Sequence, residues 1–532
     1  MDAFREFAEI EAVLGHFRPL TPYGRAKKEE REFFSSEPAL DAEYGLIDAG
    51  LAFIRRSPSA ADRAEFHLKN IPALERGADF RPDITDILLC KKLLHHVRGL
   101  CAVVPPAFKK AVGFEWKSPR LYDRLGLGGG GETFYLADAY CPGLKKLRGE
   151  IRALDLGLEK ERLAECSALK KKLGLDFGAR QFLLLPDGHP ACKEHGWLLF
   201  LERYDSSTMT AKPVHGGEFL SLSARREQLV REEKRLESSV LRDLASALNA
   251  ESAVLAAYIR SVEKLDCALA KARMALSLKL SKPLFLSSGK AIAVRGGRLL
   301  PLEAALAAKG LKYTPLSFDF TGGRVAVVSG SNMGGKTVVL KTLAQLQLLA
   351  QCGFFVPADA FRTVLFKGVY YAGYGVQAQT GGLSSFGLEL HSFMQSYAVK
   401  ERPCLFLLDE FARTTNSEEA SALLSAIIEA FSSDSGIYAF IATHFSGLRA
   451  AKGSAFYRML GLDGAALAKR MRGPRRDLAG ALKTINQHMR YQLRRDAGKT
   501  KIYDALKIAQ ILGFDGRITS RALKIMEETH ES

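Results

Sequence analysis

A glycine-rich loop lies between an apolar run and a segment without glycine or proline, and this order limits the folds that the chain can adopt. Arg324 to Ser329 read RVAVVS, which is typical of a buried strand. Residues 330–337 read GSNMGGKT, with the spacing GxxxxGK[ST], and Val338 to Gln351 continue as a helical pattern. Glycines let the backbone close around an anion, and a helix N-terminus favours negative charge. Strand, loop and helix in this order predict a phosphate-binding site.

The last two positions of the loop carry its chemistry. Lys336 is predicted to contact the β- and γ-phosphates, and the Thr337 hydroxyl to bind Mg²⁺. A chance glycine turn is the alternative, but strand, loop, Lys-Thr and helix are all in register. The loop residues predicted to hold a nucleotide are Gly330, Ser331, Asn332, Met333, Gly334, Gly335, Lys336 and Thr337.

Two further apolar runs end in titratable side chains. The run CLFLL from Cys404 is followed by Asp409 and Glu410. Asp409 is predicted to hold Mg²⁺, directly or through water, and Glu410 to polarise the attacking water. The run IYAFIAT is followed by His444, which is predicted to sense the γ-phosphate or orient the water, because ligands gather where parallel strands end. The alternative for His444 is a structural or exposed histidine.

The pattern along the chain divides it into four stretches. Strand-like and helical segments alternate in one of them, which predicts a βα architecture around a mostly parallel sheet. The stretches are 1–145, mixed and mainly helical; 146–289, a helical core or lever region with a small strand-containing insertion; 290–465, the α/β domain; and 466–532, a basic linker with C-terminal helices.

The second stretch contains the clearest helical pattern. Residues 218–282 have neither glycine nor proline, and apolar side chains recur at helical spacing, which predicts one long helix or two joined by a tight turn. Residues 182–185 and 197–201 read as the short strands of the insertion.

Composition bounds the class of protein. Of 532 residues 47% are hydrophobic, which excludes global disorder. No apolar run reaches the length of a membrane helix, and the N-terminus lacks a signal pattern, so a cytoplasmic protein without membrane contact is expected. The net charge of +17 suggests a polyanionic partner such as nucleic acid, nucleotide or an acidic protein surface.

Together the motifs GSNMGGKT, LLDEFARTTN and IATHFSGL resemble the ATPase domain of the MutS family of mismatch-repair proteins, which is of the ABC class. The resemblance runs from about Leu265 to Gly513. It implies an α/β P-loop ATPase domain that uses ATP and Mg²⁺, preceded by a largely α-helical lever and core region. Tyr503 to Asp515 resemble the family's C-terminal helix-turn-helix, which serves dimerisation.

The resemblance also implies a site shared between subunits. Gly382 to Glu389 read GLSSFGLE and match the segment that crosses to the partner's nucleotide in this family. Ser384 and Ser385 would face the γ-phosphate of the other subunit, in a homodimer or a heterodimer with a related ATPase. The clamp-like change driven by ATP would act, by family default, on mismatched or structured DNA.

Two departures from the family pattern favour another reading. Ala412 to Asn416 read ARTTN where the family usually has Gly-Arg-Gly-Thr-Ser. The family's Phe-x-Glu wedge is not recognisable, since Phe4-Arg5-Glu6 has that spelling in an unrelated helical context, and 532 residues leave little room for wedge and connector domains. Leu20 to Arg25, Glu132 to Tyr135 and Ser384 to Gly387 are similar to MutS-related reactivases of cobalamin-dependent aminomutases, such as lysine 5,6-aminomutase.

Three functions therefore stay open from sequence: a DNA clamp, an ATP-driven reactivase of a cobalamin-dependent aminomutase, and a nucleotide-gated scaffold with weak turnover. A basic C-terminal stretch fits DNA binding or a solvated linker equally well. Its residues are Lys469, Arg470, Arg472, Arg475, Arg476, Lys483, Arg490, Arg494 and Arg495.

Overall fold

A computed structural model gives the fold. It describes residues 1–30, 32–74, 80–194, 196–286, 291–331, 334–373, 385–463, 487–496, 506, 508–509, 512 and 514–531. The chain forms two compact units: unit 1 comprises 1–65, 104–113 and 262–532, and unit 2 comprises 66–103 and 114–261. These units differ from the four stretches read from sequence, because segments far apart along the chain pack together.

Helices make up most of the described regular structure. They are α1 Asp2–Phe7, α2 Ile10–Leu14, α3 Pro22–Glu30, α4 Glu37–Arg56, α5 Pro58–Lys69, α6 Ile84–Val103, α7 Pro106–Val112, α8 Pro119–Gly126, α9 Pro142–Leu173, α10 Pro190–Glu194, α11 Gly217–Ala250, α12 Ser252–Ser277, α13 Leu300–Ala308, α14 Lys336–Gln351, α15 Ser385–Ala398, α16 Ser417–Ser433 and α17 Gly516–Glu531.

The strands form three sheets. They are β1 Leu183–Pro186, β2 Leu199–Arg203, β3 Thr208–Pro213, β4 Leu284–Phe285, β5 Ala291–Gly297, β6 Leu316–Thr321, β7 Val325–Ser329, β8 Ala360–Thr363, β9 Gly368–Gly373, β10 Cys404–Asp409, β11 Ile437–Thr443, β12 Ser454–Leu462 and β13 Met489–Asp496. The strand orders are β1-β3-β2, β13-β12-β7-β11-β10-β9 and β4-β8-β5-β6.

Unit 2 is built on an antiparallel pair of long helices, α9 and α11. Arg148 on α9 lies 2.6 Å from Glu233 and 2.7 Å from Glu237 on α11. Further along α9, Asp155 pairs with Arg226, which lies earlier on α11. Because the pairing advances along one helix while it recedes along the other, the two helices run in opposite directions.

The predicted strands form a small antiparallel sheet in the connection between α9 and α11. Residues 182–185 are predicted, and β1 is Leu183–Pro186; residues 197–201 are predicted, and β2 begins two residues later after a turn of 3₁₀ helix. Phe177, Leu185 and Leu199 are buried together on one side of the sheet. The long helical pattern at 218–282 is confirmed in its two-helix form, since α11 ends at Ala250 and α12 begins at Ser252.

The six-stranded sheet of unit 1 is the predicted, mostly parallel one. Strands β12, β7, β11, β10 and β9 are parallel neighbours, and β13 joins the edge antiparallel to β12. Strand β7 lies between β12 and β11, with β10 beyond β11. The carboxyl ends of β7, β10 and β11 therefore meet at one edge of the sheet.

The sequence reading of 466–532 as a linker with helices needs correction at β13. Met489 to Asp496 pair with β12, with Met489 opposite Leu462 and Asp496 opposite Phe456. Arg490, Arg494 and Arg495 thus lie on a sheet strand instead of a solvated linker. In a single edge strand the alternation of apolar and polar side chains is short. The neighbouring basic residues make it resemble a linker.

Helices cover both faces of this sheet. On one face α14 packs in a core with the N-terminal helices, where Phe4 and Phe7 are buried and the Phe7 ring stacks on Tyr371 at 4.0 Å between centroids. On the other face α16 and Phe411 form a second core with the sheet. The first residues of the chain are therefore part of the unit that holds the glycine-rich loop.

The motif at 20–25 is explained by a contact with α12. The backbone N–H of Leu20 and that of Thr21 donate to the Asp266 carboxylate at 2.9 and 2.7 Å, and the Thr21 hydroxyl donates at 2.6 Å. A Cβ at Gly24 would lie 2.3 Å from an Asp266 oxygen, so only glycine fits. These residues fasten the N-terminal segment to α12.

Among the described residues, no helix combines the length and apolar character needed to cross a membrane.

Candidate nucleotide site

The glycine-rich loop joins the centre of the sheet to α14. Gly330 follows β7 with φ +145°, and Gly335 precedes α14 with φ +90°, conformations that side chains rarely adopt. A Cβ at Gly330 would lie 3.0 Å from Met459, and one at Gly335 would lie 3.2 Å from Tyr491. The glycines are therefore required both by the backbone and by the neighbouring β12 and β13.

Lys336, the first residue of α14, is 2% exposed. Its Nζ donates to the carbonyls of Gly330 at 2.9 Å and Ser331 at 3.1 Å, and lies 3.4 Å from a Glu410 carboxylate oxygen. Burial lowers the pKa of Lys336 below its ordinary value, and the Glu410 carboxylate opposes that shift. The ammonium group is thus held inside the curve of the loop.

Thr337 and Asp409 meet although they lie on different elements. The Thr337 hydroxyl donates to Asp409 Oδ1 at 3.2 Å. Burial raises the pKa of Asp409 above its ordinary value, and the hydrogen bond from Thr337 opposes that shift. The two predicted Mg²⁺ ligands are adjacent oxygen donors, the kind of group that Mg²⁺ prefers.

Glu410 lies among three basic side chains. Besides Lys336, Arg413 Nη1 is 3.3 Å from its Oε2, and His444 Nδ1 is 3.8 Å from its Oε1. His444 follows β11 directly, and burial lowers its pKa below 6.5. The imidazole is therefore largely neutral at neutral pH, and it contacts Glu410 instead of standing alone on the surface.

The structure thus brings together Lys336, Thr337, Asp409, Glu410 and His444. Gly330, Ser331, Gly334 and Gly335 complete the described part of the loop. The predicted site residues Asn332, Met333 and Ser384 lie outside the described residues. Ser385 is the first residue of α15, and its side chain lies outside the description as well. The predicted role of each residue stays a prediction.

The sequence reading missed a cavity beside the loop. An open cavity of about 320 Å³ lies against residues 335–339 and is lined by Tyr313, Met459 and Tyr491, among others. Tyr491 comes from β13, which the sequence had assigned to a linker. The run MRYQLRR carries a weak alternating signal, and no motif marks Tyr313.

The donor set fits a magnesium ion bound together with phosphate. Within the described ranges, no group of three or more His, Cys, Asp or Glu side chains could hold a metal by itself. Thr337 and Asp409 supply two oxygens, and Mg²⁺ commonly takes its remaining ligands from water and substrate phosphates. The geometry therefore suits an ion that arrives with a nucleotide.

A parallel sheet flanked by helices, with a glycine-rich loop and paired carboxylates at one edge, defines a mixed α/β protein. Residues 326–529 match the family model described as MutS domain V. By this match, and by relatives of moderate identity, this part of the chain is similar to the MutS family.

Three relatives illustrate the similarity. The DNA mismatch repair protein MutS of Haloquadratum walsbyi is 26% identical over 44% of this chain and 25% of its own length. The endonuclease MutS2 of Thermomicrobium roseum is 30% identical over 44% of this chain and 30% of its own. The DNA mismatch repair protein MutS of Thermus thermophilus is 26% identical over 83% of this chain and 51% of its own. The chain spans about half or less of these relatives.

Proposed function

We propose that this protein is an ATPase of the MutS type, which binds ATP with Mg²⁺ in a dimer and hydrolyses it to drive a clamp-like conformational change. The observation that carries the proposal is the meeting of Lys336 and Thr337 with Asp409 and Glu410 at one edge of the sheet. Two motifs 72 residues apart supply a phosphate cradle, an ion site and a carboxylate base at one place.

Each side chain would have one task in hydrolysis. The backbone N–H groups of residues 334–337 and the Lys336 ammonium bind the phosphates. Thr337 and Asp409 would hold the ion, which would supply positive charge to neutralise the β- and γ-phosphates. Glu410 orients the attacking water and accepts its proton, and neutral His444 keeps that water in line.

The cavity beside the loop supports a nucleoside as the ligand, and not merely a phosphate. Tyr491 lies next to Gly335 and lines the cavity, so the base of a nucleotide bound at the loop would contact an aromatic ring. Tyr313 is fixed by a hydrogen bond that its hydroxyl accepts from Leu299 N–H at 2.9 Å. Aromatic stacking contributes about 1–3 kcal/mol per base in comparable sites.

ATP hydrolysis would need two subunits. Ser384 and Ser385 would complete the phosphate cage of the partner subunit, so that the closed state forms only with ATP bound. The lever helices of residues 218–282, α11 and α12, would carry the resulting movement outward. The partner subunit would be a second copy of this chain or a related ATPase.

DNA, mismatched or structured, is the first candidate for the object of the clamp. It is supported by the similarity to DNA mismatch repair proteins and by the net charge of +17. Three described basic residues of the C-terminal stretch, Arg490, Arg494 and Arg495, lie on β13, and all three are exposed.

A protein client, such as a cobalamin-dependent aminomutase, is the second candidate, and the small sheet of unit 2 favours it. Trp197, Phe200 and Tyr204 are 71%, 58% and 65% exposed. Residues 174–216 carry five acidic and four basic side chains, and Lys212 and Arg203 are paired with acids. An apolar, nearly neutral surface suits protein contact better than a phosphate backbone.

The deciding experiment measures ATP turnover and DNA binding with plain, mismatched and branched duplexes across a salt series. Selective binding that changes with ATP, together with stimulated turnover, would support the DNA clamp. Weak binding that disappears steeply with salt, with unstimulated turnover, would reject it. Turnover stimulated by a purified cobalamin-dependent aminomutase, with reactivation of that enzyme, would support the protein client. A Lys336→Ala chain is the matched control throughout.

A further inference from the structure

The segment after Asp409 has a strained backbone. Glu410 has φ +50° and Ala412 has φ +64°, and both are L residues in the left-handed region. That conformation costs about 1–2 kcal/mol for each residue other than glycine. Ala412 is completely buried and stands where the MutS loop usually has glycine. A group outside the loop must therefore hold Ala412 in place.

Glu389 on α15 makes this contact. Its Oε2 accepts a hydrogen bond from the Ala412 N–H at 3.1 Å. One turn further along the same helix, the Phe393 ring lies 5.2 Å from the ring of Phe411. Because residues four apart share a helix face, α15 contacts the loop through one polar and one apolar group side by side.

The Glu389 carboxylate destabilises the fold at this position. Its other oxygen, Oε1, is buried and finds no hydrogen-bond partner within the described ranges. Burial also raises the pKa of Glu389 to about 7. A buried acceptor without a partner destabilises a fold by about 1–3 kcal/mol. The free energy of folding therefore does not account for the glutamate at position 389, because a leucine there would bury no oxygen without a partner.

We propose that Glu389 is a positioning residue for ATP hydrolysis, because by fixing the backbone of Ala412 it aims the Glu410 carboxylate at the attacking water. The inference rests on the proposed function. Glu410 lies two residues before Ala412, so release of that backbone would free its side chain from Lys336 and Arg413. Since α15 begins at Ser385, a contact of Ser385 with the partner's nucleotide would act on the same helix.

The kinetic test compares two substitutions of Glu389 with a control on the same helix. Glu389→Leu removes the acceptor, Glu389→Gln keeps a carbonyl oxygen for the Ala412 N–H, and Gln395→Leu changes an exposed side chain of α15. We expect Glu389→Leu to lower kcat at least about tenfold while the Kd for ATP with Mg²⁺ changes less than about threefold. Glu389→Gln should retain most of the wild-type kcat, as should the control.

A second readout follows the loop without reference to turnover. Arg413 is half exposed, so trypsin can cleave after it when the loop opens. We expect cleavage after Arg413 to be at least about fivefold faster in Glu389→Leu, with cleavage after Arg231 on α11 unchanged. If Glu389→Leu retains the wild-type kcat and the wild-type rate of cleavage after Arg413, the inference is wrong and the proposed function is unaffected. A wild-type chain without Lys336-dependent turnover would overturn the proposed function first, and the inference with it.

Discussion

The hydroxyl of Thr337 donates a hydrogen bond to the carboxylate of Asp409 across 3.2 Å, although 72 residues separate them along the chain. Thr337 is the second residue of α14, and Asp409 is the last residue of β10. Strand β11 lies between β10 and β7, the strand that leads into the glycine-rich loop. The contact therefore depends on the order of strands in the sheet, and it fixes where an ion and its phosphates would lie.

Replacing Lys336 with alanine should abolish hydrolysis and weaken ATP binding at least about tenfold. The variant removes the charge that faces the phosphates, and a hydrogen bond to a charged group contributes about 1.5–3 kcal/mol. Calorimetric titration with ATP and Mg²⁺ measures the affinity. Lys309→Ala, at an exposed position after α13, is the matched control. Wild-type turnover in Lys336→Ala would reject the site assignment.

Replacing Glu410 with glutamine should lower kcat about 100-fold or more and trap an ATP-bound dimer. Glutamine keeps the shape of the side chain, but it cannot accept the proton of the attacking water. Light scattering after gel filtration, with and without ATP, measures the mass of the particle. Glu429→Gln, on the exposed face of α16, should behave as the wild type. A Glu410→Gln chain that stays monomeric with ATP would count against the shared site.

Mixing two inactive chains should restore activity if the site is shared between subunits. A Ser385→Ala chain lacks the group predicted to contact the partner's nucleotide, and a Lys336→Ala chain lacks its own phosphate contact. A mixed dimer then retains one intact site, because one chain contributes the loop and the other contributes the serine. We expect turnover in the mixture to exceed that of either chain alone. Equal, background turnover in all three samples would contradict the prediction.

Replacing Tyr491 with alanine should weaken ATP binding about 5-fold to 100-fold and leave the affinity for inorganic triphosphate within about twofold. The ring lies beside the loop and would stack on the base, and stacking contributes about 1–3 kcal/mol. Competition binding with both ligands separates the two contributions. Tyr491→Phe keeps the ring and should bind ATP as the wild type does. An equal loss for both ligands would place the base elsewhere.

The pH dependence of turnover should show His444 acting as a neutral group. Burial lowers the pKa of His444 below 6.5, so the imidazole gains a proton only as the pH falls through that lowered value. The added charge would lie near Lys336 and draw Glu410 away from the water. We expect the kcat of the wild type to fall below pH 6.5, and the kcat of His444→Gln to show no such fall. Both profiles are measured from pH 5.5 to 8.5. Identical profiles would reject the role of His444.

Much of the site could be predicted from the sequence because its chemistry is encoded locally. A glycine-rich loop must follow a strand and precede a helix in order to present its N–H groups, so GSNMGGKT and its flanks determine the position of Lys336 and Thr337. An apolar run ending in Asp409 and Glu410 likewise marks the end of a buried strand. The two long helices of 218–282 also follow from local periodicity alone.

Which of these groups come into contact depends on the packing of elements that are distant along the chain. Strand order joins Asp409 to Thr337, and the packing of α15 places Glu389 on Ala412. The N-terminal segment contacts α12 through Asp266, and β13 brings Tyr491 to the loop. Each of these contacts joins residues that are distant along the chain, and side-chain periodicity carries no record of such partners. Local sequence motifs thus encode the chemical groups of the site, and the order of strands and the packing of helices set their arrangement.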